Sequence, residues 1–99
     1  MPTYITLFQW TQKGVEQLKN SPKRLDRRKE ALKAVGGKVQ AFYLTMGQYD
    51  FVVISDAPSD EVHAKTMLAL ASAGGGSVRT ETLRAFTEDE YRQIISSLP

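Results

Sequence analysis

Apolar residues along the chain switch between a spacing of two and a spacing of three to four, and the switches outline its elements. Residues 3 to 10, Thr-Tyr-Ile-Thr-Leu-Phe-Gln-Trp, are mostly β-branched and aromatic and predict a first strand. From Thr11 onward Val15 and Leu18 fall at helical spacing, and Ser21-Pro22 then offers a cap followed by a residue preorganised for the first helical position. The first helix is therefore expected to break or kink near Asn20. Leu25, Leu32 and Val35 continue its apolar stripe until Gly36-Gly37, where a left-handed residue can end it.

Residues 38 to 46 predict a second strand, and Gly47-Gln48 is short enough to turn directly into a third, Tyr49-Asp50-Phe51-Val52-Val53-Ile54. The third strand is apolar on both faces except at Asp50, as an interior strand covered on each side would be. Asp56 to Glu61 supplies turn and cap chemistry for a second helix, with Val62, Thr66, Ala69, Leu70 and Ala73 on one face and Gly74-Gly75-Gly76 at its end. Residues 77 to 86 alternate and predict a fourth, edge strand. Thr87 and Glu90 form a capping box that opens a short last helix through Ile94 and Ile95.

This order predicts an α+β fold of the ferredoxin-like βαββαβ kind with an extra C-terminal helix, one domain over residues 1–99. Both main helices lie on one face of the sheet under the right-handed crossover rule. The other face is expected to carry Tyr4, Thr6, Phe8 and Trp10 from the first strand and Ala41, Tyr43 and Thr45 from the second, too apolar a patch for water. The last helix is too short to cover four strands, so a second copy is expected to do so. The resulting homodimer, possibly the base of a higher oligomer, would bury more than about 2,000 Å² in total. A chain of 99 residues gains from such recruitment, because small domains bury a smaller fraction of their surface.

Composition narrows the chemistry. There is no cysteine and a single histidine, His63, which removes disulfides, thiolate nucleophiles and the usual zinc and iron–sulfur ligand sets. Neither a metal nor a cofactor is expected. The N-terminus lacks a basic region followed by an apolar run, and no stretch approaches the roughly 20 apolar residues of a membrane span, so the expected location is the cytoplasm, with no membrane partner. The formal charge is only +2, yet Lys23, Arg24, Arg27, Arg28, Lys29, Lys33 and Lys38 crowd one region. Asp26 and Glu30 interleave with them at helical spacing, which favours a solvated helix face over a specific nucleic-acid site.

Asp50 is the most informative polar residue, because a carboxylate in an apolar strand is costly unless paired. Its partner is either a ligand or proton relay in an inter-sheet pocket, or its own turn, or an arginine such as Arg79 or Arg84. His63, near the start of the second helix with Met67 one turn on, is a candidate general base or haem ligand, although a lone helix-surface histidine is the blander reading. Tyr4, Tyr43, Trp10 and the threonines of the fourth strand can line a pocket for a planar organic ligand or simply fill a dimer core. The Gly74-Gly75-Gly76 run follows a helix and precedes a strand, the reverse of a phosphate-binding loop.

Gly47-Gln48-Tyr49-Asp50, Trp10-Thr11 with Gly14, Lys19-Asn20-Ser21-Pro22 with Arg24, Gly36-Gly37-Lys38, and Arg79-Thr80-Glu81-Thr82-Leu83-Arg84-Ala85-Phe86 followed by Glu90 form a pattern that resembles the GYD domain family. The resemblance runs nearly end to end and implies a dimeric α/β barrel, in which two ferredoxin-like sheets face each other. It implies no established biochemical role. Two functions follow by analogy to relatives of that fold. One is a binding or sensing module for a small organic molecule at or near the inter-sheet interface, with Tyr4, Thr6, Tyr43, Asp50, Arg79 and Arg84 as ligand-binding candidates. It is similar to the effector domains of Lrp-type regulators but without their helix-turn-helix. The other is a small cofactor-independent monooxygenase, isomerase or cyclase using Asp50, His63 or Tyr43 as acid and base. No convergent catalytic set is evident in the sequence, which favours the first.

Overall fold

The computed structural model describes residues 1–99. In chain order the elements are β1 (Thr3–Trp10), α1 (Gln12–Glu16), a 3₁₀ turn (Leu18–Asn20), α2 (Ser21–Ala34), β2 (Lys38–Leu44), β3 (Phe51–Asp56), α3 (Asp60–Gly74), β4 (Val78–Ala85) and α4 (Glu88–Ser96). The strands form one antiparallel sheet in the order β2-β3-β1-β4. Two crossovers returning through helices on one face make this the ferredoxin-like α+β fold read from the pattern.

Local chemistry sets the element ends. Thr11 caps α1 by accepting from the Gly14 amide at 3.2 Å, and the expected break falls at the 3₁₀ turn. Ser21, however, is the first residue of α2 rather than its cap, with Asn20 before it making no side-chain capping bond and Pro22 in the first turn. Gly36, at φ +86°, takes the left-handed conformation that ends α2, and the Gly37 amide donates back to the Leu32 carbonyl at 2.8 Å. Ser59 caps α3, and Gly75, at φ +64°, closes it. The capping box of α4 is complete: the Thr87 hydroxyl accepts from the Glu90 amide at 3.2 Å and the Glu90 carboxylate from the Thr87 amide at 2.9 Å.

The core lies between the sheet and the helices α2 and α3. Phe8, Phe51 and Val53 form one buried cluster, with the Phe8 and Phe51 rings stacked at 4.4 Å and Trp10, Val39, Met67 and Val78 packed around them. Tyr4, Leu32 and Ala57 form a second. These contacts correct the expected facing of β1. Tyr4, Thr6 and Phe8 are buried beneath the helices, and Ile5 and Leu7 take the open face instead. Phe51, Val53 and Ser55 of β3 share the helix side, so in β1 and β3 the helix-covered side takes the rings and the open face takes the aliphatic side chains.

The open face is still apolar. Register places Ala41, Ile54, Ile5 and Leu83 in one row across all four strands and Tyr43, Val52, Leu7 and Glu81 in the next. Tyr43 and Leu83 are exposed in the single chain, and so are Tyr91, Ile94, Ile95 and Leu98 on and just beyond α4, none of whose residues is buried. No helix is long and apolar enough to cross a membrane.

A second correction concerns the link between β2 and β3. The strands do form the expected antiparallel hairpin, but the connection runs over residues 45–50 rather than through Gly47-Gln48 alone. Thr45 closes this loop on itself, its hydroxyl donating to the Tyr49 carbonyl at 2.6 Å and its amide to the Asp50 carbonyl at 2.8 Å. Asp50 therefore precedes β3 and is not an interior strand residue.

Candidate functional site

Asp50 is half-buried and sits beside the end of β1. One carboxylate oxygen accepts the Trp10 amide at 2.8 Å, and the Asp50 amide donates to the Phe8 carbonyl at 2.8 Å. Because β3 begins only at Phe51, opposite Phe8, the Trp10 N–H has no β3 residue facing it, and the side chain supplies the missing acceptor. Its partner is thus neither of the expected ones, its own turn or an arginine, but the backbone of β1. Arg79 stands on the open face of β4, and Arg84 lies at the far end of that strand.

A second group forms at the opposite end of the sheet. The Tyr4 ring stacks on His63 at 3.9 Å, and its hydroxyl donates to the Asp60 carboxylate at 2.5 Å. Arg84 ion-pairs with the same carboxylate at 3.3 Å and lies over both the Tyr4 and Phe86 rings. Burial, and then the hydrogen bond to Asp60, push the Tyr4 phenol up to about 12. His63, expected on the helix surface, is instead buried under Tyr4. Burial pulls its imidazole below the usual histidine value, against the opposing charge of Asp60. The imidazole is thus stacked on a phenol that itself donates to a carboxylate.

The structure thus divides the candidate residues. Tyr4 and Arg84 meet at one end of the helix-covered side, and Thr6 lies between them and the core, 3.4 Å from the Thr82 hydroxyl. Tyr43 and Arg79 are on the open face, where Tyr49 also donates to Glu81 at 2.5 Å. Asp50 is at the third location described above.

The apolar cavity that best fits an organic ligand lies elsewhere on the helix side, beneath the first half of α2. It measures about 390 Å³ and is walled by Trp10, Phe42, Leu44, Phe51 and Val78 from the sheet and by Leu18, Pro22 and Leu25 from the helical layer. Its polar groups are Ser21 and the arginines Arg24 and Arg28. Burial, and then the charge of Arg24, pull the Arg28 guanidinium below its ordinary value. Reading the basic segment as a solvated face missed these two. The signal was present: Leu25, Arg28, Leu32 and Val35 follow each other at spacings of three and four, so Arg28 occupies a position of the apolar stripe.

Known proteins agree with this architecture. A protein of Thermus thermophilus described as a glutamine synthetase and cystathionine beta-lyase binding protein is 41% identical over 86 residues, covering 86% of this chain and 88% of that protein. A crystal structure of a protein from the same organism superposes with a TM-score of 0.55 at 24% identity, covering 88% of this chain and 95% of that one. The 5-chloro-2-hydroxyhydroquinone dehydrochlorinase of Burkholderia phenoliruptrix AC1100 superposes with a TM-score of 0.60 at 18% identity, covering 90% and 97%. The model of the GYD domain matches residues 4–95, so nearly the whole sequence is accounted for, and the chain belongs to the GYD domain family.

Proposed function

We propose that this protein is a non-catalytic binding module that pairs with a second copy through its open sheet face and holds a small organic molecule in the cavity beneath α2. The observation that carries the binding half is the cavity. At about 390 Å³, with apolar walls and a few convergent polar groups, it has the size and lining of small-molecule sites. The candidate acids and bases Asp50, His63 and Tyr43 do not converge, since Asp50 is bonded to the β1 backbone, His63 is stacked on Tyr4 at the other end of the sheet, and Tyr43 stands on the open face. The pairing half rests on the two apolar rows across the sheet, centred on Ile5, Ile54, Leu7 and Val52.

Light scattering at micromolar concentration tests the pairing: the native chain is expected to run as a dimer and Ile54→Lys as a monomer. A soluble native monomer refutes it. Thermal-shift screening of small metabolites tests the binding, and a screen in which no compound raises the melting temperature counts against it.

A protein partner is the second reading. It is supported by the 41% identical relative, whose name describes binding of glutamine synthetase and cystathionine beta-lyase, and by the exposed apolar face of α4. Co-elution with either purified enzyme, lost on Ile94→Glu with Ile95→Glu, is the result this reading expects.

A further inference from the structure

Arg24 and Arg28 stand one helical turn apart on α2, so their side chains leave the helix on the same side, and both line the cavity. Neither has a carboxylate partner; the ion pairs of the chain are Lys65–Glu61, Arg84–Asp60 and Arg92–Glu88. Arg24 Nη1 donates to the Gln17 carbonyl at 3.3 Å, but Arg24 Nη2 and Arg28 Nε are shut off from solvent with no acceptor. The Arg28 guanidinium lies over the Phe8 ring, 4.9 Å from its centre.

Two like charges beside an apolar wall, with donors left unpaired, are a costly arrangement for a protein that gains nothing from it. The surrounding charge deepens the asymmetry. Lys13, Lys23 and Arg27 border the adjoining concavity that Arg24 shares, while Asp26 and Glu30 on the same helix are exposed and paired with neither arginine. What the group lacks is an anion, and a guanidinium pair suits a planar carboxylate, which can accept from more than one N–H.

Building on the cavity reading above, we infer that the ligand is a small organic anion, an aromatic or branched alkyl body bearing one carboxylate. The body lies against Trp10, Phe42, Phe51 and Val78, and the carboxylate meets Arg24 and Arg28. The apolar lining selects against free inorganic anions, and the arginine pair selects against neutral compounds of the same shape.

Trp10 is the sole tryptophan and lines the cavity, so its fluorescence reports occupancy directly. The full chain is titrated with benzoate, phenylacetate and 4-methylpentanoate, with the matched amides, and with inorganic phosphate, and calorimetry serves as a second readout. At least one acid is expected to bind saturably, at least tenfold more tightly than its amide and than phosphate. In an Arg24→Gln, Arg28→Gln double variant that acid is expected to fall to the affinity of its amide. Circular dichroism melts check that the variant folds, and Arg28→Lys, which keeps the charge, should retain part of the preference. An amide binding as tightly as its acid overturns the anion assignment and leaves the cavity reading standing. Acid binding unchanged in the folded double variant removes the arginines from the site. No saturable Trp10 response to any acid or amide overturns both readings.

Discussion

Replacing Asp50 by alanine isolates the bond that joins the 45–50 loop to the end of β1. The substitution deletes a charged acceptor 2.8 Å from the Trp10 amide and leaves that N–H without a strand partner, because β3 pairs with β1 only as far as Phe51 and Phe8. A hydrogen bond to a charged group is worth about 1.5–3 kcal/mol. Asp50 is half-buried and water can partly replace the lost oxygen, which brings the expected loss to about 1–2 kcal/mol. For a chain of this size that corresponds to a fall in Tm of about 5–15 °C. Asp50→Asn keeps a neutral acceptor and should lose about half as much. Urea unfolding followed by Trp10 fluorescence, at fixed protein concentration, should show a lower midpoint with an unchanged slope. If Asp50→Ala unfolded within about 0.5 kcal/mol of the native chain, the acceptor role would be wrong, because the orphaned amide would have cost almost nothing.

Gly14→Ala should destabilise by about 1–3 kcal/mol, since an added Cβ would collide with the Ser77 carbonyl oxygen and stand 3.2 Å from Trp10 Cδ1; a melting temperature at or above the native one would refute the close approach. His63 sits below its unfolded pKa, so the unfolded chain takes up the proton first as pH falls through about 6.5. Stability should therefore decline between pH 7 and 5, and His63→Gln should flatten that part of the profile; equal slopes in both proteins would contradict a buried neutral imidazole. The Tyr4 phenol is raised instead, so its contribution is complete below about pH 10 and lost as pH climbs toward 12. Ultraviolet titration should show a late phenol that Tyr4→Phe removes, in addition to Tyr49, which its bond to Glu81 also raises, and a high-pH spectrum in which Tyr4→Phe removes only an ordinary phenol would disprove the bond to Asp60.

The fold was legible where the sequence carries local signals. Ser21-Pro22 marked the break before α2, Gly36 its end, and Thr87 with Glu90 the start of α4, because each acts on backbone within a few residues. The facing of β1 was not legible from the strand alone. Tyr-Ile-Thr-Leu-Phe is apolar on both faces, so alternation gives two equivalent registers, and only the volume offered by the helices decides that rings go beneath them. His63 was placed on the surface for a related reason. Its neighbours Ala64 and Lys65 are polar or small, and burial arises from Tyr4, 59 residues earlier, a contact no local window contains.

The two ends of the helix-covered side divide the chemistry in a way that bears on what the module can do. At the Tyr4 end the charged groups bond one another: the phenol donates to Asp60, Asp60 also accepts from Arg84, and Arg84 lies over the Tyr4 and Phe86 rings. Such a network rigidifies the junction of β1, β4 and α3. At the Trp10 end the balance is reversed. Apolar walls enclose room for a small molecule while two guanidinium groups keep donors without acceptors. Half-buried guanidinium groups with shielded donors left over suit an acceptor from outside the chain. Under the proposed reading a guest held beneath α2, on the helix side of the sheet, would leave the open face clear for a second copy.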